Sequence, residues 1–369
     1  MKARVDLIAG ARPNFMKVAP IIRALEARKR EQGGLDYRLV HTGQHYDPAL
    51  SDRFFDQLGI PEPHVNLSAG SGSQAAQTAA IMVRYEALLS ENPPDCCLVV
   101  GDVNSTMACA ITARKCGIPV AHVEAGIRSG DWSMPEEINR TVTDSVSNWF
   151  FTTSPSAGLN LRQMGVGEER IFFVGNTMID TLLACQDRLV PPSFWSGLDL
   201  AAGSYFVITL HRPTNVDNPL RLTRLLSAVA QGTRGLPVIF PVHPRTRKRL
   251  EAIPDPPPSF RFVDPQPYLE FNYLVKHARA VLTDSGGITE ESTVMGVPCL
   301  TLRDSTERPE TVVMGTNELV GTDPEKLVPA LDRVFSGHWK TGSIPEKWDG
   351  QAATRIVAVL EKIIMRDPR

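Results

Sequence analysis

The sequence lacks any cysteine pattern that would build a disulfide framework or a metal centre. Its six cysteines include the neighbours Cys96 and Cys97 in an apolar run, and none of the six lies in a CxxC or Cys/His spacing. Such spacings, or clustered aspartates, mark most metal sites in proteins, so no metal ligand is expected. Because unpaired cysteines persist in a reducing compartment, we expect a cytoplasmic protein.

The 369 residues also lack a long apolar run and a long run of charges of one sign. No segment approaches the roughly 18 apolar residues of a membrane span, and residues 1–6 carry charges where a signal peptide needs an apolar core. The 39 basic and 41 acidic residues nearly cancel. We therefore expect no membrane contact, no nucleic-acid partner and a small-molecule ligand.

Short apolar runs alternate with amphipathic stretches along the chain, which is typical of βαβ units on a parallel sheet. The first half predicts strands at residues 5–9, 37–41, 96–101, 120–124, 150–153 and 171–174. It also predicts sheet-covering helices at residues 14–29 and 74–89. The pattern restarts with strands at residues 205–210, 237–242, 260–263, 280–283 and 298–302, before a final helix at residues 351–365.

A chain of this length fits two domains better than one core. Pro191-Pro192 and Trp195-Ser196-Gly197 interrupt the pattern and mark the region of the boundary. We predict an α/β protein with two Rossmann-like domains and a deep interdomain cleft. Residues 1–180 would form the N-terminal domain, joined by a C-terminal helix at residues 350–369, and residues 181–349 the second domain.

Two predicted strand ends carry the features of an anion site. The first strand runs into Gly10-Ala11-Arg12-Pro13-Asn14-Phe15-Met16-Lys17, and the strand at 280–283 runs into Asp284-Ser285-Gly286-Gly287. Glycines allow close backbone approach, and a helix amino terminus offers free N–H groups. His243, Arg303 and Arg308 at neighbouring strand ends would add positive charge and favour a diphosphate. Ordinary capped turns are the alternative.

Three acidic segments should converge from the first domain, because ligands of open parallel sheets bind outside the carboxyl ends of the strands. These segments contain Asp102, Glu124 and Glu136. Glu124 ends an apolar strand, where a carboxylate is costly unless it is paired or used. Together with His211, which ends the first strand of the second domain, they suit general acid/base chemistry.

Each of these carboxylates also has an alternative interpretation without chemistry. Glu124 could form a salt bridge to Arg128 or Arg140, and Asp102 could cap a helix. Pro135-Glu136-Glu137 is a normal helix start.

Eleven segments occur in an order that spans nearly the whole chain: Gly10-Ala11-Arg12-Pro13, Thr42-Gly43-Gln44-His45, Gly101-Asp102, His122-Val123-Glu124-Ala125-Gly126-Ile127-Arg128, Pro135-Glu136-Glu137-Ile138-Asn139-Arg140, Gly175-Asn176-Thr177, His211-Arg212, Pro241-Val242-His243-Pro244, Asp264-Pro265-Gln266, Asp284-Ser285-Gly286-Gly287 and Glu307-Arg308-Pro309-Glu310. In this the chain resembles the non-hydrolysing UDP-N-acetylglucosamine 2-epimerases. That family shares its architecture with the glycosyltransferase-B class, uses no metal or redox cofactor, and commonly forms homodimers.

The resemblance implies elimination of UDP from C1 as the C2 proton leaves, followed by re-addition of UDP to an enzyme-held 2-acetamidoglucal. It assigns acid/base work to Asp102, Glu124, Glu136 and His211. It assigns substrate binding as follows: the diphosphate to Arg12, His243, Ser285, Gly286, Gly287 and Arg308, the ribose to Glu291, the uracil to Gln266 and Phe271, and support of Arg12 to Lys17.

The chain departs from the better-known bacterial members near the position of a second, activating substrate molecule. Asn14 replaces a glutamate, Tyr46-Asp47 replaces a basic residue, and the loop at residues 129–134 is shorter. We therefore expect no such activation. Four alternatives stay open: a hydrolysing 2-epimerase that releases N-acetylmannosamine and UDP, action on a modified UDP-N-acetylglucosamine, a glycosyltransferase, and a nucleotide-sugar sensor without turnover.

Overall fold

The structure is a computed structural model that describes residues 3–10, 12–32, 34–43, 55–251, 253 and 255–366. The chain divides into two compact units. Unit 1 comprises Met1–Ala184 and Glu346–Arg369, and unit 2 comprises Cys185–Pro345. Each unit is built on its own parallel sheet with alternating helices, so the predicted α/β class with two Rossmann-like domains is confirmed.

Unit 1 contains seven parallel strands in the order β3-β2-β1-β4-β5-β6-β7. Its elements, in chain order, are β1 (Arg4–Ala9), α1 (Arg12–Gln32), β2 (Asp36–His41), β3 (Val65–Asn66), α2 (Gln74–Glu91), β4 (Cys96–Val100), α3 (Asn104–Lys115), β5 (Val120–Val123), α4 (Pro135–Val146), β6 (Trp149–Thr152), α5 (Pro155–Gln163), β7 (Ile171–Phe173) and α6 (Thr177–Cys185). All five residues of β4 are buried, as a central parallel strand covered on both faces requires.

Unit 2 contains six strands in the order β10-β9-β8-β11-β12-β13, also parallel. Its elements are β8 (Phe206–Thr209), α7 (Pro213–Val216), α8 (Pro219–Gly232), β9 (Val238–Pro241), α9 (Pro244–Leu250), β10 (Phe260–Val263), α10 (Tyr268–His277), β11 (Ala280–Thr283), α11 (Gly286–Met295), β12 (Cys299–Thr301), α12 (Pro309–Val313), β13 (Asn317–Leu319) and α13 (Leu327–Phe335). Apolar side chains cover both faces of this sheet.

The sequence pattern did not predict two edge strands, β3 and β13. The first has two residues and the second reads Asn317-Glu318-Leu319, so neither shows an apolar run. Edge strands are solvated on one side, and their pairing depends on the neighbouring strand more than on their own composition. Among the helices that the structure describes, none combines the length and the apolar character needed to cross a membrane.

The last helix, α14 (Ala352–Arg366), belongs to unit 1. The carboxylate of Asp180 accepts hydrogen bonds from the backbone N–H groups of Ala352 at 3.1 Å and Ala353 at 2.7 Å. These donors lie in the first turn of the helix, where the backbone itself offers no acceptor. Arg28 of α1 adds an ion pair to Glu361 at 2.9 Å. The helix is therefore fixed at its start and along its length.

Replacing Asp180 with alanine should remove this cap and lower the free energy of unfolding of unit 1 by about 1–2 kcal/mol. Chemical denaturation followed by circular dichroism measures the change. The exposed Asp187, changed to alanine, is the matched control and should shift stability by less than about 0.5 kcal/mol. Equal stability of the two variants would show that Asp180 does not hold the helix.

Candidate functional site

The strand orders place one switch point in each sheet. In unit 1 the order reverses between β1 and β4, and in unit 2 between β8 and β11. Ligands of open α/β sheets bind outside the carboxyl ends of the strands at such points, because the loops diverge there and leave a crevice. Lys17 and Asp102 follow the first pair of strands, while His211 and Asp284 follow the second. We call these regions the carboxylate site (Lys17, Asp102, Glu124, Arg140) and the histidine site (His211, Asp284, Ser285, Gly286).

A buried ion pair joins Lys17 and Glu124 in the carboxylate site. The Lys17 Nζ lies 2.7 Å from Glu124 Oε2, and the two residues are 8% and 3% exposed. Burial costs both charges several kcal/mol of hydration, and their mutual attraction offsets that cost. Gly101 lies directly behind the ammonium group, since a Cβ there would approach Lys17 Nζ to 3.3 Å. Lys17 therefore fixes Glu124, whereas the sequence assigned it to Arg12.

The backbone of Glu124 adopts a left-handed conformation, with φ of 68°. A residue with a Cβ is uncommon in this region, which costs of order 1 kcal/mol or more, and such positions cluster at functional sites. Glu124 immediately follows β5, so it lies at the carboxyl end of the strand. Glutamate at a position where glycine would fit more easily indicates a role for the carboxylate itself.

Asp102 lies at the end of β4 and pairs with Arg140 of α4, whose Nη2 is 2.5 Å from Asp102 Oδ2. Val103 is the N-cap residue of α3 and makes no side-chain capping hydrogen bond, and Asp102 directly precedes it. The other end of the Arg140 guanidinium contacts Glu137 at 3.0 Å. The aspartate is therefore held in place while its side chain keeps 21% exposure to solvent.

The two glutamates of Pro135-Glu136-Glu137 differ sharply. Glu137 is buried and accepts hydrogen bonds from the loop at Ser129 and Gly130. Burial opposes its ionisation, but these bonds and Arg140 outweigh burial and hold the pKa of Glu137 below its usual value. Glu136 is half-exposed and has no hydrogen-bond partner among the residues that the structure describes. Glu137 therefore shapes the loop, and Glu136 is the one available to a ligand.

His122 and Asp144 form a buried layer beneath Gly101 that the sequence analysis did not find. The His122 Nδ1 is 2.7 Å from Asp144 Oδ1, and its Nε2 is 2.8 Å from the Gly101 carbonyl oxygen. Arg128 also contacts Asp144, at 2.6 Å. The salt bridge that the structure gives Arg128 is thus to Asp144. Asp144 lies in the last turn of α4 with no local pattern to distinguish it.

In the histidine site, Asp284 orients His211. The carboxylate of Asp284 is fully buried and lies 2.8 Å from His211 Nδ1. It also accepts hydrogen bonds from the backbone N–H of His211 and Arg212 and from Asn215. Burial alone would raise the pKa of Asp284, but the His211 ring and the other donors outweigh burial and lower it. An ionised Asp284 fixes the proton on Nδ1 and leaves Nε2 of the half-exposed ring for a ligand.

Within the turn Asp284-Ser285-Gly286-Gly287, Asp284 has a contact of its own, and the predicted diphosphate role of Ser285, Gly286 and Gly287 stays a prediction. Asp284 points into the fold and serves His211, and the Ser285 N–H donates to Thr283 Oγ1 at 3.0 Å. Ser285 is the N-cap residue of α11, but its side chain makes no capping hydrogen bond. A Cβ on Gly286 would come within 2.6 Å of Glu307 Oε1, so a larger residue there would require the Glu307 side chain to move. The helix start at Gly286 and Gly287 remains the part of the turn suited to an anion.

Arg303 and Arg308 are buried in ion pairs. Arg308 Nε lies 2.8 Å from Glu290 Oε1, and Arg303 Nη1 lies 2.8 Å from Glu307 Oε2. Each positive charge is thus balanced by a glutamate. Glu307 lies four residues after Arg303 in the same loop, whereas Glu290 reaches Arg308 from α11. His243 is exposed at the end of β9, with its ring centroid 6.5 Å from that of His211.

Glu291 is buried in α11 and accepts a hydrogen bond from Tyr268 at 2.8 Å. Burial raises the pKa of Glu291 to about 7, although the hydrogen bonds from Tyr268 and Asn272 act in the opposite direction. Nearby in the chain, Gln266 donates to the Asp264 carbonyl at 2.7 Å, and half-buried Phe271 packs against the core. The roles predicted for Glu291, Gln266 and Phe271 stay predictions.

Some predicted positions fall outside the described part of the chain. Arg12 is the first residue of α1, but its side chain is not among the described ones. Gln44, His45 and Tyr46-Asp47 lie outside the described residues altogether. Asn14 accepts a hydrogen bond from Gly10 N–H at 3.0 Å and donates to the Val100 carbonyl at 2.7 Å, so it joins the loop after β1 to the end of β4.

Comparison with known proteins adds to this geometry. The chain matches the family model described as UDP-N-acetylglucosamine 2-epimerase over residues 27–361. It is 39% identical over 370 aligned positions to the UDP-N-acetylglucosamine 2-epimerase of Methanocaldococcus jannaschii, covering 97% of this chain and 98% of that protein. The crystal structure of the archaeal protein in complex with UDP-GlcNAc and UDP superposes with a TM-score of 0.86, covering 97% and 99% of the two chains.

Two further proteins are similar to the chain, one in sequence and one only in fold. The UDP-2,3-diacetamido-2,3-dideoxy-D-glucuronate 2-epimerase of Pseudomonas aeruginosa is 38% identical over 364 positions, covering 98% of this chain and all of that protein. A lipopolysaccharide outer core galactosyltransferase matches with a TM-score of 0.56 at 15% identity, covering 97% of this chain and 99% of that one. The second likeness concerns the fold alone and confirms the expected similarity to glycosyltransferases of the B class.

The raised pKa of Glu291 predicts how a variant should respond to pH. Between the ordinary glutamate value and about 7, the unfolded chain releases a proton that the folded chain keeps, so stability declines as pH rises. Glutamine does not ionise, so Glu291→Gln removes the free-energy cost of a buried charge at position 291. The variant should raise the free energy of unfolding by up to about 3 kcal/mol at about pH 8 and much less at about pH 5. Denaturation at both pH values measures the difference. The exposed Glu325→Gln is the control, and a Glu291→Gln effect as independent of pH as that control would contradict the assignment.

Proposed function

Because the chain belongs to the UDP-N-acetylglucosamine 2-epimerase family, we propose that it interconverts UDP-N-acetylglucosamine and UDP-N-acetylmannosamine by inverting C2. The family match extends over most of the chain, and the relatives align along nearly their whole length. The non-hydrolysing outcome, in which UDP is retained and added back, is the finer part of this proposal. The observation that carries the chemistry is Glu124, a buried carboxylate in a left-handed turn with Lys17 at 2.7 Å.

The proposed reaction begins with proton removal from C2. A carboxylate of the carboxylate site takes the proton, the C1–O bond breaks, and its electron pair leaves on the β-phosphate oxygen of UDP. The C2–H electron pair forms the C1=C2 double bond of a 2-acetamidoglucal. UDP then adds back to C1 while a proton reaches C2 from the opposite face. Two acid/base groups are needed, and Glu124 with Asp102 or Glu136 supplies them.

We assign Lys17 to the charge balance of this step. A base must be ionised before it accepts a proton, and an ammonium group at 2.7 Å stabilises the anionic carboxylate. Arg140 does the same for Asp102 at 2.5 Å. Glu136, which has no partner among the described residues, is free to form its first hydrogen bond with the sugar.

We assign UDP binding to unit 2. The start of α11 at Gly286 and Gly287 directs backbone N–H groups and a positive dipole end towards a diphosphate. His211, held by Asp284 through Nδ1, offers its other ring nitrogen to the departing phosphate oxygen. Preorganised donors of this kind stabilise charge that develops in the transition state. His243, Ser285 and Arg308 are assigned to the diphosphate as well, and so is Arg12.

The rest of the nucleotide is assigned to the same unit. Buried Glu291 is placed against the ribose hydroxyls, because a carboxylate accepts two hydrogen bonds from a diol. Gln266 and Phe271 are placed against the uracil. The homodimer and the cytoplasmic location stay predictions.

A second substrate is favoured by one observation. The Pseudomonas relative, named for a UDP-2,3-diacetamido-2,3-dideoxy-D-glucuronate, is 38% identical and the archaeal relative 39% identical, so overall similarity does not separate the two sugars. Both reactions invert C2 beside an acetamido group and require the same acid/base pair. They differ at C3 and C6, where the glucuronate carries an additional acetamido group and a carboxylate.

Incubation with UDP-N-acetylglucosamine in heavy water tests the proposal directly. Deuterium should enter C2 and a manno-configured UDP-sugar should accumulate, both measured by proton NMR. Free N-acetylmannosamine with UDP would replace the non-hydrolysing outcome with the hydrolysing one. If neither exchange nor a manno product forms, UDP-N-acetylglucosamine is not the substrate, and the 2,3-diacetamido glucuronate is assayed in the same way.

Glu124→Gln tests the acid/base assignment. It should lower the C2 exchange rate by about 100-fold or more, because amides do not accept protons, while UDP affinity measured by calorimetry stays the same. Glu91→Gln, an exposed change at the end of α2, is the matched control and should keep full exchange. Loss of UDP binding without loss of exchange per bound substrate would refute the role given to Glu124.

A further inference from the structure

The buried His122 lies between two hydrogen-bond acceptors. It sits in β5 with no solvent exposure. Its Nε2 is 2.8 Å from the carbonyl oxygen of Gly101, and its Nδ1 is 2.7 Å from Asp144 Oδ1. A neutral imidazole has one donor nitrogen and one acceptor nitrogen, so it can satisfy only one acceptor of this kind.

The proton count follows from the partners. A backbone carbonyl accepts and never donates, so Nε2 carries a proton. Asp144 Oδ2 accepts from Gly126 N–H at 3.1 Å and from the positively charged Arg128 Nη2 at 2.6 Å, and this environment favours the ionised carboxylate. Its Oδ1 then also accepts, so Nδ1 carries a second proton. We infer that His122 is a buried imidazolium that holds the turn at Gly101 and thereby positions Asp102 for proton transfer.

The surrounding charges support the doubly protonated ring. Asp144 is fully buried, and although burial raises its pKa, His122 and Arg128 outweigh burial and lower it. Three other charged groups lie beyond Gly101: Lys17, and Asp102 with its partner Arg140. Lys17 is in turn neutralised by Glu124. The imidazolium therefore has one direct anionic partner, Asp144, and no directly contacting cation among the described residues.

The hydrogen bond from His122 helps to fix the backbone of Gly101, the residue before Asp102. Gly101 has a left-handed φ of 72°, and its N–H donates to the Val123 carbonyl at 3.0 Å. With His122 binding its carbonyl, Gly101 is held by both backbone polar groups, and the chain leaves β4 in a fixed direction. Asp102 follows directly and meets Arg140. His122 touches neither Asp102 nor a substrate atom, so it is a positioning residue, and its kinetic role rests on the proposed function.

NMR on the unchanged protein tests the protonation state without any substrate. In protein with 15N-labelled histidine, both ring nitrogens of His122 should show protonated shifts at about pH 7, because each faces a hydrogen-bond acceptor. The signal is assigned by its loss in His122→Gln. His277 is the internal control, because burial and Lys276 lower its pKa and keep its ring neutral. An unprotonated nitrogen on His122 at about pH 7 would overturn the inference.

Two variants separate positioning from packing. His122→Leu removes the donor to the Gly101 carbonyl, and should lower kcat at least about tenfold with little change in KM or UDP affinity. His122→Gln keeps a donor there and should retain most of kcat, while the exposed His338→Gln should leave kcat unaltered. In Asp144→Asn the compensating charge is gone, so the His122 ring should become neutral by NMR at the same pH. A ring that stays doubly protonated in Asp144→Asn, or unchanged kcat in a folded His122→Leu, would refute the role.

Discussion

A charged side chain that leaves water must meet an opposite charge or a set of dipoles inside the protein, because its lost hydration costs several kcal/mol. The candidate sites of both units are organised by this constraint. Their charges occur in pairs that join different elements of the fold: Lys17 with Glu124, Arg140 with Asp102, His122 with Asp144, His211 with Asp284, and Arg308 with Glu290. Removing one residue of a pair would leave the other charge buried without a counter-charge, so each pair fixes the position of its side chains as well as balancing their charges.

Within each site, one member of a pair is buried and orients the other. Asp144 and Asp284 are fully buried and cannot reach a ligand, but each determines the state of a histidine that lies closer to the chemistry. His211 is left with an available ring nitrogen, and His122 supports the turn before Asp102. In both units a buried aspartate orients a histidine at the end of a strand. The pairs Asp144–His122 and Asp284–His211 come from unrelated positions in the chain. Their similarity therefore reflects a common requirement, which is that a functional histidine be oriented before a ligand binds.

Local patterns of the sequence predicted most of the sheet strands, because central parallel strands such as β4 are apolar throughout and stand out from amphipathic helices. The edge strands β3 and β13 did not stand out, since half of their environment is solvent. Similarly, Glu124 was noticed because a carboxylate ends an apolar strand. Asp144 was not noticed, because nothing around an aspartate in the last turn of a helix reveals the buried histidine that it meets from strand β5.

The sequence by itself determined the α/β class, the family and the chain positions at which polar residues follow strands, because these depend on local composition and on motifs in order. The tertiary structure alone decided the partners. It paired Lys17 with Glu124, placed Asp284 against His211, and buried Arg308 against Glu290. Partners in these pairs are up to 107 residues apart. Strand order and helix packing bring them within 3 Å, and no short-range pattern encodes which charge a buried side chain will meet.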